Sequence, residues 1–365
     1  RVRMQGVTDR AVLAATMLGE NTGNITPEQL LVSYFTAGGF GQFLGNNYTI
    51  TESALLGRQV FAAPSTEMPT IASNMIGISD LPVHTGAGAT ENAISGWLDI
   101  VMVLDISGSM GFNGGTRIAA LRNAAGQMAQ QLLSQEDDGR ISITLVPYDT
   151  AVLPPPTMLP FFRNIHGSVG ECPDFRNWNS VFNSIHTPMD RRPCHTDGWA
   201  MIRPYMDDAV QAVGAIYALQ PRDVTSIDLG MRWGAIFFDP TLRPAITQMI
   251  NDGLISERFR GRPFDWNEPN VTRAVILMTD GENCCGHRNP QFRQDMNTRG
   301  VCNALKQRGV LIYTIALEAP PAGQNLMMQC ASSPAHYFDA NSGSLTNVFN
   351  AIRAHVVTQT LRLTQ

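Results

Sequence analysis

Lysine is almost missing from this chain. Lys306 is the only one, so 25 of the 26 cationic residues are arginine. Charge is sparse overall, with 16% charged residues and a formal net charge of −5. No basic block and no basic–aromatic interleaving occurs, so the footprint of a nucleic-acid binder is lacking. Long apolar runs are lacking as well. They are broken by Asp99, Asp105 or Asp280, whereas a membrane-spanning helix needs about 20 apolar residues. The phosphate-cradling G-x-x-x-x-G-K-[ST] loop is missing, and Ser107-Gly108-Ser109-Met110-Gly111 is not a G-x-S-x-G elbow. With no histidine at an informative place beside these serines, neither phosphoryl transfer nor serine hydrolysis is supported. The chain opens on Arg1 rather than methionine, and Arg1 and Arg3 look like the flank of a preceding membrane helix.

What is present centres on Val101 to Met110, VMVLDISGSM. A continuous apolar run ending at a turn signal reads as a buried strand of a parallel sheet covered on both faces. Ligands collect at the carboxyl ends of such strands. Asp105 offers a carboxylate there, and Ser107 and Ser109 offer hydroxyls at alternate positions. Oxygen donors of this kind suit a hard cation such as Mg²⁺, with Mn²⁺ or Ca²⁺ as substitutes. The same residues could instead form a local turn or helix cap. Two later stretches favour the metal. VILMTDG, ending at Asp280 and Gly281, repeats the plan of a strand running into an acid, and Thr225 opens the helical stretch TSIDLGMRWGAIFF.

The six cysteines are Cys172, Cys194, Cys284, Cys285, Cys302 and Cys330. An even count fits a disulfide-permissive compartment, though six allow fifteen pairings. Cys172 and Cys194 bracket one Pro- and Arg-rich loop, which pairs them. Cys302 on one expected helix pairs with Cys330 at the end of another. Cys284 and Cys285 are left as a vicinal pair or as partners of others. Zinc on Cys284, Cys285 and His287 competes, but no C-x₂-C spacing supports it. His166, His186 and His195 match no ligand spacing either.

At 365 residues the chain has room for two domains. Residues 1–95 read as a small α+β module. Met4, Val7, Ala11, Ala14 or Ala15, and Leu18 share one helical face over residues 4–18. Thr26 caps a second helix with Pro27 at its first position, and Leu30, Leu31, Tyr34 and Phe35 form its apolar face. Residues 48–51, 59–62 and 71–78 are short strand candidates, and 86–96 read as the passage to the next domain.

Residues 96–365 carry the alternation of an α/β domain. Strands are expected at 98–105, 140–148, 272–279 and 310–317, with an edge strand at 336–339 and a final one at 360–364. Helices are expected at 116–133, 206–219, 226–238, 244–254, 291–308, 325–331 and 345–357. The segment from about 149 to 203 is far longer than the usual βα connection of about 2–6 residues. It reads as an insertion held by Cys172 and Cys194, serving either recognition or as a surface excursion.

DISGS, Thr225 and TDG in this order resemble the metal-ion-dependent adhesion site of von Willebrand factor A domains. The resemblance implies a doubly wound, mostly parallel α/β sheet of the von Willebrand A or Rossmann-like kind. It implies that Asp105, Ser107, Ser109, Thr225 and Asp280 share one cation, Asp280 directly or through water. RMQGVTDRAVLAAT, VLDISGSM, the WG of Trp233-Gly234, VCNALKQRGVLIYTIAL and a CAS followed by HYFDA are similar to TadG-like proteins of Tad (Flp, tight-adherence) pilus systems. That family implies an N-terminal membrane helix, absent from this sequence, anchoring a periplasmic or surface part to the bacterial inner membrane. It also implies work with minor pilins in pilus assembly, adhesion and biofilm formation. The first domain would then be pilin-like, and the whole a non-enzymatic interaction module. The rival expectation is a structural envelope or filament subunit whose metal serves only the fold.

Overall fold

A computed structural model describes residues 2–16, 26–53, 57–69, 80–91, 96–134, 139–162, 165–166, 172–192, 194–284 and 290–362. The chain divides into two compact units, Arg1–Ser95 and Gly96–Gln365.

In the first unit, α1 (Val2–Thr16), α2 (Pro27–Ala37) and α3 (Gly41–Leu44) precede five strands. These are β1 (Tyr48–Ser53), β2 (Gly57–Ala62), β3 (Ser65–Pro69), β4 (Asp80–His84) and β5 (Ala87–Glu91). The periodic face of α1 is buried through Met4, Val7, Ala11 and Ala15, joined by Val12. Leu18 lies outside the described residues. The Thr26 hydroxyl accepts from Gln29 N–H while the Gln29 side chain accepts from Thr26 N–H, a closed capping box. Leu31 and Phe35 carry the buried stripe of α2, but Tyr34 is exposed, because the stripe is narrower than the sequence suggests. β1, β2 and β5 form one antiparallel sheet, and β3 and β4 a second pairing. β5 corrects the reading of residues 86–96 as a passage between domains. Its sequence, AGATE, is poor in strand formers, and its pairing with β2 makes it a strand. The candidate at 71–78 lies outside the described residues.

The second unit is built on six strands in the order β11-β7-β6-β12-β13-β14. β6 (Trp97–Asp105) and β12 (Val271–Thr279) run side by side at the centre. β7 (Ile141–Tyr148), β13 (Leu311–Leu317) and β14 (Tyr337–Ala340) continue the parallel ladder. β11 (Arg203–Met206) adds an antiparallel edge. This is the doubly wound, mostly parallel α/β sheet expected of a von Willebrand A or Rossmann-like fold. β7 and β12 are buried along their whole length, as strands covered on both faces must be.

One layer of helices comprises α4 (Phe112–Leu133), α5 (Ala209–Ala218) and α10 (Leu345–Arg362). The other comprises α6 (Ile227–Ile236), α8 (Gln291–Gln307) and α9 (Pro321–Cys330), with α7 (Arg243–Asn251) outside the sheet. The expected face of α4, Ile118, Leu121, Ala125, Met128 and Leu132, is buried in full. α6 lies tight on the sheet because Gly230 has no side chain, and a Cβ there would stand 2.6 Å from the Tyr148 ring.

Two expected elements need correction. Residues 203–206 are not insertion followed by helix; they fold back as β11 against β7. Pro204 and a bulge leave this strand no clean alternation to read. Residues 360–362 continue α10 rather than starting a strand. Five alternating residues without a partner strand lose to a helix already under way.

The insertion carries a small sheet of β8 (Ile165–His166), β9 (Cys172–Phe175) and β10 (Met189–Arg192). A disulfide joins Cys172 to Cys194, and a second joins Cys302 to Cys330. Cys284 is disulfide-bonded, while Cys285 and His287 lie outside the described residues. The insertion is no surface excursion. Phe162 and Phe175 pack their rings 5.8 and 5.5 Å from Trp233 of α6. Arg232 is fully buried beneath them, its guanidinium 4.8 Å from the Phe175 ring and bonded to the Ser180 carbonyl. Burial pushes its pKa down to about 10.

Candidate metal centre

The carboxyl ends of β6 and β12 meet at the top of the sheet. Asp105 ends β6 with its side chain fully buried. Its Oδ1 accepts the Ser107 N–H at 2.7 Å, which folds the turn back on the strand. Its Oδ2 accepts the Thr279 hydroxyl at 2.7 Å, which ties β6 to β12. The Ser107 and Ser109 hydroxyls stand 3.1 Å apart, and Ser109 donates to Asp280 Oδ1 at 2.7 Å. Asp105, Ser107, Ser109 and Asp280 thus form one connected group of oxygens.

Thr225 joins from the loop before α6. Gly108 N–H donates to the Asp223 carbonyl at 2.8 Å, which locks this loop against the first. The Thr225 carbonyl accepts the Cys284 N–H at 3.1 Å. Its side-chain oxygen lies 3.5 Å from where a Gly281 Cβ would stand, beside the Asp280 turn. The orientation of α6 is set from the same turn, since Asn283 Oδ1 accepts the Ile227 N–H at 2.8 Å. All five residues singled out by sequence therefore lie together at the carboxyl ends of the two central strands.

Four residues enter that sequence reading missed. Thr279 bonds Asp105, Asn283 caps α6 from a distant loop, and Arg117 with Glu318 closes the outer side. Arg117 Nη1 donates to Asp280 Oδ2 at 2.7 Å, and its Nε donates to Glu318 Oε2 at 3.0 Å. Thr279 had a readable signal, a hydroxyl at the end of a buried strand next to an acid. Arg117 had none, because one arginine on a helix reads as a solvated face.

The two acids of the site differ in their surroundings. Burial first, and the charge of Asp280 second, push the Asp105 carboxyl up to about 7 from an ordinary 3.8. The bonds from Ser107 and Thr279 pull the other way without cancelling this. Among the described residues no cationic side chain pairs with Asp105, although Asp280 has Arg117. Two carboxylates and three hydroxyls are hard oxygen donors, and a buried carboxylate lacking a counter-charge is what a divalent cation would satisfy. The donor set fits Mg²⁺, Mn²⁺ or Ca²⁺. Among the described residues no cluster of three or more His, Cys, Asp or Glu occurs, so any metal here would rest on two carboxylates and on hydroxyls.

No family model matches this chain, and no curated protein matches it. Among solved structures it is similar to proximal thread matrix protein 1 from the mussel byssus, at 15% identity and a TM-score of 0.40. That likeness covers 72% of this chain but only 46% of the byssus protein, so the chain spans under half of its length. The vWF domain of the type V pili tip protein Mfa5 from Porphyromonas gingivalis matches at 14% identity and a TM-score of 0.44, over 73% of this chain and 97% of that one. The PilB minor pilin from Streptococcus sanguinis matches at 12% identity and a TM-score of 0.39, over 87% and 78%. Function is argued from the site itself.

Proposed function

We propose that this chain is a non-enzymatic, metal-dependent protein-interaction module of a Tad-type pilus assembly or cell-surface system. A divalent cation, Mg²⁺ first, is held by Asp105, Ser107, Ser109 and Thr225, with Asp280 binding directly or through water. One coordination position stays open for an Asp or Glu of a protein partner, a minor pilin or another assembly component. The observation that carries this reading is Asp105: a fully buried carboxylate with no counter-charge among the described residues, at the head of a connected group of oxygens. Three of the five donors are neutral hydroxyls, so a bound cation would keep enough positive character to favour an anionic partner group, most of all where Asp280 binds through water. The oxygen donors and the octahedral habit of Mg²⁺ suit such an exchange of water for carboxylate.

The first unit, with its helix and small antiparallel sheet, is taken as pilin-like. Inner-membrane anchoring upstream and a periplasmic or surface location belong to the same reading. No helix among the described residues is long and apolar enough to cross a membrane. The test is capture of purified minor pilins by this chain in Mg²⁺, in EDTA, and by Asp105→Ala. Capture lost in both the chelator and the variant, with circular dichroism unchanged, supports the module. Capture indifferent to both means that the metal serves only the fold, as in a structural envelope or filament subunit.

A further inference from the structure

One arginine is fixed between two acids at the outer side of the proposed metal centre. Arg117 stands in the first regular turn of α4, just after Asn113, Gly114 and Gly115, which are all left-handed with φ of 53°, 72° and 79°. That turn aims its fork at the end of β12. Nη1 lies 2.7 Å from Asp280 Oδ2 and Nε lies 3.0 Å from Glu318 Oε2, while the side chain is only 16% exposed. Glu318 is held in turn by Ser342, whose N–H and hydroxyl donate to Oε1 at 3.0 and 2.9 Å. Asp280 presents its other oxygen to Ser109.

We propose that Arg117 is a resident counter-cation of this site, and that it sets the site's affinity for the divalent ion. The inference rests on the metal reading above. With no metal bound, Arg117 neutralises Asp280 and keeps the turn folded. When a divalent ion arrives, the guanidinium is a like charge only one carboxylate away, in a region where burial weakens screening. Glu318 acts in the opposite sense, by offsetting part of the Arg117 charge. A purely orienting role gives the other sign. If Arg117 only aimed Asp280 Oδ1 at the ion, its loss would loosen the ligand and weaken binding.

The test uses the full chain, with Mg²⁺ affinity by titration calorimetry and melting in EDTA. Arg117→Gln is expected to bind Mg²⁺ tighter, on the order of tenfold, and to melt lower in EDTA. Arg117→Lys keeps the charge and is expected to restore wild-type affinity. Glu318→Gln is expected to bind several-fold more weakly, and it carries the sign alone if Arg117→Gln does not fold. Weaker or unchanged binding in a folded Arg117→Gln overturns the inference while leaving the metal centre intact. A wild-type chain that binds neither Mg²⁺ nor Mn²⁺ overturns the metal reading, and this inference falls with it.

Discussion

Gly323 offers a way to disturb the centre without touching any of its oxygens. It lies in α9, hard against the turn that carries Asp280. A Cβ at Gly323 would stand 2.2 Å from the Gly281 carbonyl oxygen and 3.1 Å from its carbon. The obstacle is backbone, so no side chain can swing away. Either α9 or the Asp280–Gly281 turn must retreat by about 1 Å in Gly323→Ala, and overpacking of this kind costs about 1–3 kcal/mol. At about 2–4 °C per kcal/mol for a unit of this size, melting falls by about 2–12 °C. Asp280 and the neighbouring Thr225 move with the turn, and Mg²⁺ affinity falls about tenfold, the scale seen when a ligand's support is lost. Calorimetric melting and Mg²⁺ titration measure both. Gly300→Ala in α8 is the control, since a Cβ there meets nothing within 4 Å. It should gain about 0.5–1 kcal/mol from helix propensity and leave affinity unchanged. Wild-type melting and wild-type affinity in Gly323→Ala would refute the claim that α9 wedges the metal turn.

Two pH-linked outcomes follow from buried groups. Asp105 has a raised pKa, so ionising it costs folded stability, and that cost grows as pH rises from 3.8 toward about 7 and is complete above. Metal-free protein should therefore lose stability progressively as pH rises from 3.8 to about 7, and no further above that. Asp105→Asn should melt higher than wild type in EDTA at pH 8 and gain nothing from Mg²⁺; a lower melting point there contradicts the reasoning. His336 has the opposite sense. Burial, then the charge of His355, hold its pKa below the ordinary 6.5. Its Nδ1 stands 2.7 Å from the Ser333 hydroxyl, while the buried Nε2 has no hydrogen-bond partner among the described residues. The unfolded chain takes up this proton first, so stability falls as pH drops through 6.5. His336→Gln should flatten that acid limb, as read from melting at pH values on either side; an unchanged limb argues that another group titrates.

The residues that meet at the carboxyl ends of β6 and β12 were legible because their signals are local. Asp105, Ser107 and Ser109 alternate at the end of an apolar run, and Asp280 ends a second run of the same kind. Thr225 was legible as the opening of a helix. The sheet was legible for a related reason: buried parallel strands are written as continuous apolar runs, as in β6 and β12. What escaped depends on partners remote in sequence. Arg117 meets Asp280 across 163 positions and Glu318 across 201, and neither distance leaves a mark in the local pattern. β5 and β11 escaped because small residues and a proline gave them no alternation, and only pairing with β2 and β7 makes them strands. The insertion escaped in part, since its Phe162 and Phe175 look like loop aromatics until Trp233 is seen beneath them.

The most direct test of the centre is anomalous scattering from crystals of this chain soaked in Mn²⁺. The result expected is one strong peak about 2.0–2.3 Å from the Ser107 and Ser109 hydroxyls. An Asp105 carboxylate oxygen and the Thr225 hydroxyl should share that shell, with Asp280 in it or one water away. No peak at the carboxyl ends of β6 and β12, or a peak held by other residues, would contradict the assignment of the metal to these five side chains.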